Sequence, residues 1–268
     1  MDLARAAIFY CALAVLGMAP AVAAEPAMNA SGPDAALVED LVAANHILYD
    51  QGVVDGFGHV SARSAKDPSH FLLARSMAPG LVTAADITEF DLDGNAIDAR
   101  GRAVYLERFI HSAIYKARPD VKAVVHSHSP SVIPFGATGV PMRPIYHMSA
   151  FLAPEVPVFE IRDAGGDATD MLIRTPALGD ALAQTLGDAS VLLMRGHGDV
   201  VVADNVKLAV FRAIYTEINA RLESDALRLG NGRVVFLNDD EAAAATKVNN
   251  GLVTRAWDLW KQKAMGAK

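Results

Sequence analysis

Residues 104–128 read Val104-Tyr105-Leu106-Glu107-Arg108-Phe109-Ile110-His111-Ser112-Ala113-Ile114-Tyr115-Lys116-Ala117-Arg118-Pro119-Asp120-Val121-Lys122-Ala123-Val124-Val125-His126-Ser127-His128. Apolar Val104, Phe109, Ile110 and Ile114 recur at roughly helical spacing, and Pro119 forbids the helix to continue. Val121 to Val125 is apolar and β-branched, the composition of a buried strand. Side chains alternate across a strand, so His126 and His128 point one way with Ser127 opposite. Two imidazoles so placed reach one ion. Glu107, His111 and Tyr115 share one helix face, and a helix packed beside the strand brings Glu107 to the same point.

Working outward, Leu37, Leu41, Ile47 and Leu48 predict a helix over 34–50, capped by Ser31 or Asp34 and ended by Gly52. Short strands follow near His59–Arg63 and over Phe71–Ala74. Thr88–Leu92 and Ala96-Ile97 flank Asp93-Gly94-Asn95, a hairpin signal. Downstream, Val156–Phe159 and Val191–Met194 read as strands, and Val200–Ala203 returns as a partner after Arg195-Gly196-His197-Gly198-Asp199. Two helices, about Asn205–Leu229 and Asp240–Lys263, close the chain. The sum is an α/β protein, a sandwich with helices on both faces of a mainly antiparallel sheet.

Arg5, the apolar run Ile8–Leu16 and the small-x-small Ala21-Val22-Ala23 make residues 1–24 a secretory signal. Residues 25–33 read as a linker and 34–268 as one domain. The expectation is an exported, periplasmic protein, free of the membrane after cleavage, or a cytoplasmic one if the segment is not a working signal. The one cysteine, Cys11, lies inside that segment, so the mature chain makes no disulfide and any metal must take N and O ligands. With 24 Lys+Arg against 31 Asp+Glu, neither nucleic acid nor an anionic membrane surface is expected as partner.

The chemistry turns on three histidines. A lone His-x-His is weak evidence for metal, and two core or surface histidines would produce it. His197, held between two glycines where the chain turns sharply, adds a third imidazole. Three such ligands fit a catalytic site that keeps a coordination position open.

Taken in order, Glu107-x-x-x-His111, Tyr115, Arg118-Pro119-Asp120, Ala123–Ser129 and Gly196-His197-Gly198 resemble the class II aldolase/adducin family, with upstream similarity at Gly58-x-x-Ser61-x-Arg63 and Asp91–Gly94. The resemblance implies a three-layer α/β/α fold, a homotetramer with sites between subunits, a divalent ion on His126, His128 and His197, and Glu107 as acid/base. Zinc suits histidine ligands best, with manganese or iron as alternatives. The adducin branch keeps the fold without metal, so a non-catalytic binding or interaction protein is the alternative.

Departures from that pattern speak to substrate. Sugar-phosphate members cradle phosphate with Gly-Asn, a Thr/Ser-Gly loop and a Ser-Ser pair before the acid; here those places hold Gly58-His59, Arg75-Ser76-Met77 and Tyr105-Leu106. The expected substrate is a non-phosphorylated, carboxylated small molecule, a hydroxy-carbonyl or hydroxy-carboxylate, met by His59, Ser61, Arg63, Arg75 and Ser76, with the two arginines as carboxylate clamps. His147, beside Tyr146, falls where fuculose-type aldolases carry a tyrosine proton donor from the next subunit, and is a candidate catalytic residue with Glu107. His111 is expected behind the site, and His46 and His70 on the surface. The implied chemistry is carbon–carbon cleavage through an enolate, by retro-aldol reaction or by decarboxylation.

Overall fold

The computed structural model describes residues 33–266; the 1–24 segment and nearly all of the linker lie outside the described residues. Helix α1 (Pro33–Asp50) leads into a meander of β1 (His59–Arg63), β2 (His70–Ala74) and β3 (Ile87–Asp91). The expected turn after β3 is present, with Asp91 Oδ1 accepting the N–H groups of Asp93 and Asn95. Its return leg makes a single bridge, Phe90 to Ala96, rather than a strand.

The decisive stretch gives α2 (Arg108–Ala117) and β4 (Ala123–Ser127). Both are shorter than the periodicity suggests. Val104 to Leu106 precede the helix because the Tyr105 hydroxyl is tied to the Met77 carbonyl and the Arg108 side chain to the carbonyls of Gly94 and Tyr105. Glu107 is therefore the N-cap residue, and His128 stands just past the strand.

There follow α3 (Ile133–Thr138), β5 (Val158–Phe159), α4 (Arg162–Gly165), α5 (Pro176–Leu186), β6 (Val191–Met194), β7 (Gly198–Ala203) and α6 (Val206–Leu229). The last helix expected as one piece is two, α7 (Asp239–Asn250) and α8 (Val253–Gly266), parted at Gly251. Asn205 caps α6 by accepting the Leu208 N–H, and Asn238 and Glu241 form a capping box on α7.

The strands order as β3-β2-β1-β4-β7-β6-β5 in one sheet. Every pairing is antiparallel except β5 with β6. Strand alternation divides the core in two. Val60, Ala62, Ala123, Val125 and Val201 pack with Leu41 and Ile47 of α1, Val210 and Ile214 of α6 and Trp257 of α8. Val124, Val200, Val202, Phe71 and Leu73 pack with Ile110 and Ile114 of α2 and Leu182 and Leu186 of α5. The result is an α/β/α sandwich, each large buried side chain contributing roughly 1.5–3 kcal/mol. Among the described residues no helix is long and apolar enough to cross a membrane.

Candidate metal centre and its cleft

Antiparallel pairing sets His126, near the end of β4, opposite Val200 of β7 and beside His59 of β1. The turn before β7 brings His197 to the same place. Gly196 takes φ of +63°, a left-handed value that suits glycine. At Gly198 a Cβ would stand 1.9 Å from the Ser127 carbonyl oxygen, so only glycine lets the turn press this closely onto β4. One ligand atom from each of Glu107, His126, His128 and His197 falls within 4.8 Å of the other three. The rings of His126, His128 and His197 lie 4.8–5.1 Å apart between centroids.

The donor set suits a cation. His126 Nδ1 donates to the Asp199 carbonyl and His197 Nδ1 to the Met171 carbonyl, each at 2.9 Å, which fixes both tautomers and leaves each Nε2 with a lone pair. His126 Nε2 is buried with no hydrogen-bond partner among the described residues. His197 Nε2 faces His128 Nε2 at 3.0 Å, a separation two lone pairs tolerate only with a proton or a cation between them. Glu107 Oε2 stands 3.5 Å from Nε2 of both His126 and His197, while Oε1 accepts the Ile173 N–H at 2.9 Å. Burial alone would raise the Glu107 pKa, but the imidazoles of His126 and His197 outweigh it and hold this carboxyl well below the usual range. Burial, with His126 and His197 alongside, pushes His128 down to about 4.

Two backbone groups complete the centre, and both come from the loop between α4 and α5. Met171, in a left-handed conformation at φ of +72°, offers its carbonyl to His197, and Ile173 its N–H to Glu107. Neither has a side-chain signature, which is why the sequence did not point to them. A non-glycine residue at positive φ beside such a site is the kind of local strain that a functional geometry sustains.

The centre opens into a cleft of about 410 Å3 lined by His59, Ser76, Phe57, Met77, Tyr105, Leu106 and Leu172, besides Glu107 and His128. Among the described residues no lysine or arginine lines it. Phe57, 68% exposed, stacks at 6.3 Å from the His128 ring. Of the five residues expected to meet substrate, His59 and Ser76 line the cleft. Three are corrected. Ser61 is fully buried, its hydroxyl bridging His111 and Tyr115. Arg63 shares the face of β1 that carries His59, but four residues along a strand is about 13 Å. There its guanidinium donates to the carbonyls of Val121, Pro68, Tyr115 and Arg118. Arg75 is held by Asp86 at 2.7 Å and does not line the cleft.

His147 sits in the 3-10 turn His147–Leu152 against α7, with its ring exposed and its carbonyl accepting from Asn249; within one chain it does not line the cleft. His46 and His70 are half-buried rather than free on the surface: His46 Nε2 meets the Val82 carbonyl, and His70 Nδ1 lies 2.9 Å from Glu89. His111 stands behind the cleft, fully buried, between His59 and Ser61.

Comparison with known proteins agrees with this geometry. Residues 39–224 match the family model described as Class II Aldolase and Adducin N-terminal domain. The decarboxylase tropJ of Talaromyces stipitatus is 36% identical over 244 residues, 83% of this chain and 92% of that protein. The 3,4-dihydroxyphthalate decarboxylase of Arthrobacter keyseri is 31% identical, covering 82% of this chain and 90% of its own length. Among solved structures, the L-fuculose 1-phosphate aldolase of Glaciozyma antarctica superposes with a TM-score of 0.70 at 25% identity, over 86% of this chain and 90% of that one. Human beta-adducin is 24% identical over 65% of this chain but only 23% of its own length.

Proposed function

Because this chain belongs to the class II aldolase and adducin family, and is an enzyme of its lyase branch, we propose that it decarboxylates a hydroxylated aromatic carboxylate. The observation that carries this reading is the pairing of a three-histidine, one-glutamate centre with a cleft walled by Phe57, Tyr105, Leu106 and Leu172 and, among the described residues, free of lysine and arginine. Such walls suit a flat apolar ring, and among the described residues they bring no lysine or arginine to a phosphate. The relatives named as decarboxylases support the same choice over aldol cleavage.

His126, His128 and His197 would hold the ion, with Glu107 beside them, and zinc fits this donor set best. A divalent cation there would supply Lewis-acid stabilisation for negative charge gathering on a substrate oxygen. The chain's own residues do the rest. Phe57 and Leu106 at the mouth and Tyr105 within press on the ring and displace water from it. Tyr105 cannot act as an acid, because its hydroxyl is spent on the Met77 carbonyl. Glu107, held ionised and fixed through Oε1 by Ile173, accepts the proton of a neighbouring substrate hydroxyl. It then delivers that proton to the ring carbon from which carbon dioxide leaves. A proton from His147 would have to come from a neighbouring subunit of a tetramer. Export of the mature chain rests on residues 1–24 and is part of the same proposal.

The test is metal analysis of purified protein followed by turnover of hydroxybenzoates and dihydroxyphthalates. Stoichiometric zinc and carbon dioxide release, both abolished by chelation, are expected. Aldehyde formation from hydroxy-carbonyl compounds without carbon dioxide release would overturn decarboxylation in favour of aldol cleavage.

A further inference from the structure

A polar chain runs back from the cleft into the layer between β1 and α2, and its hydrogens can be counted. His59 Nδ1 and His111 Nε2 are 2.7 Å apart, His111 Nδ1 and Ser61 Oγ 2.6 Å, and Ser61 Oγ and Tyr115 Oη 2.8 Å. All four residues are at most 3% exposed. A neutral imidazole carries one ring proton, and a ring nitrogen that accepts a hydrogen bond leaves that proton on the other nitrogen.

Two polarities satisfy the three bonds. In one, Tyr115 donates to Ser61, Ser61 to His111 Nδ1, and His111 Nε2–H to His59 Nδ1, which puts the His59 proton on Nε2. In the other every arrow reverses, and the Tyr115 O–H has no acceptor, since Ser61 is its one side-chain partner among the described residues. A buried donor left unpaired costs about 1–3 kcal/mol, which decides for the first. The Val124 backbone also meets the Tyr115 oxygen in a way that favours the phenolate, as a donor does, leaving the phenol proton for Ser61.

We propose that Tyr115, Ser61 and His111 are positioning residues that fix His59 as an Nε2–H donor facing the cleft, and that this donor receives the carboxylate of the substrate. His59 lines the cleft, and among the described residues its Nε2 has no hydrogen-bond partner. Its ring lies 5.1 Å from His126 and 4.5 Å from Tyr105. With Arg63 and Arg75 engaged elsewhere, this N–H takes the place of the arginine clamp expected from sequence. An uncharged donor holds a carboxylate without neutralising it, so its charge still disfavours the ground state and is relieved as carbon dioxide departs. The identity of the ligand rests on the decarboxylase reading; the polarity of the chain does not.

Histidine-15N NMR of the zinc-loaded full chain reads the polarity, with signals assigned by their loss in His59→Gln and His111→Gln. Both rings should carry hydrogen on Nε2 and none on Nδ1; a proton on Nδ1 of either ring overturns the proposal. Binding then reads the ligand, with 2-hydroxybenzoate and catechol as probes. His59→Leu should weaken 2-hydroxybenzoate by about tenfold or more and catechol by less than about twofold. Ser61→Ala should raise KM for a carboxylated substrate more than it lowers kcat. Equal losses for both probes, or none, overturn the carboxylate assignment. A wild-type chain that binds no zinc sinks the lyase reading alone, because metal-free protein reports the same tautomers.

Discussion

The two faces of the β1–β4 pair are built from alternate residues of the same ten, yet they do different work. Val60, Ala62, Ala123 and Val125 turn to α1 and α6, and the one polar residue they share that face with is Ser127, bonded to Asp199. His59, Ser61, Arg63 and His126 turn to α2, where only Val124 joins the apolar layer. One face holds the strands to the protein; the other uses that rigidity to aim polar groups. A polar seam this deep is tolerated because its members bond one another: His59 to His111, Ser61 to His111 and Tyr115, and Arg63 to four carbonyls.

This division predicts that function and stability can be broken separately. The largest effect should come from Glu107→Gln. Losing the acid/base group should lower kcat by on the order of 10^2–10^4-fold, with zinc content retained and the fold kept. Turnover unchanged in that variant would take Glu107 out of the chemistry. On the opposite face, Leu41→Ala should do the converse. Leu41 is fully buried among the residues of α1, α6 and the sheet, and its truncation should cost about 2–5 kcal/mol in chemical denaturation while kcat and KM per folded molecule stay the same. A shift in KM there would mean that the two faces are mechanically coupled.

The same division explains what the sequence made legible. Apolar, β-branched runs mark the strands, and turn chemistry marks the turn at Asp93-Gly94-Asn95, because those signals are local. The break at Gly251 was hidden by helix-favouring residues on both sides, and α5 by an Ala- and Leu-rich run that Thr175-Pro176 opens with an ordinary cap. The histidines and Glu107 could be singled out by type and spacing. Their orientation could not, because it is set by carbonyls of Asp199 and Met171 and the N–H of Ile173, which any residue carries. Arg63 and Arg75 misled for a related reason: a guanidinium looks like a ligand clamp in sequence whether its partner is a substrate or, as here, four backbone oxygens or Asp86.

The smallest expected effect probes the α6 side, where the carboxyl of Glu223 is buried, as is that of Asp199 beside Ser127. Glu223 is 0% exposed and accepts from the Arg143 N–H and from Asn219. Burial outweighs those bonds and pushes its pKa up to about 7. Between its ordinary value of 4.5 and about 7 the folded protein therefore holds a proton that the unfolded chain has released. Stability through this group must fall as pH rises across that window, and the penalty stands in full above it. Glu223→Gln keeps an acceptor for Arg143 and removes the ionisation. The variant should show a flatter stability–pH curve between about pH 5 and 8 and a gain of about 1 kcal/mol at the alkaline end. A slope identical to the wild type would mean that the carboxylate is ionised and fully accommodated throughout, and that the structural face of the sheet tolerates charge as well as the catalytic one does.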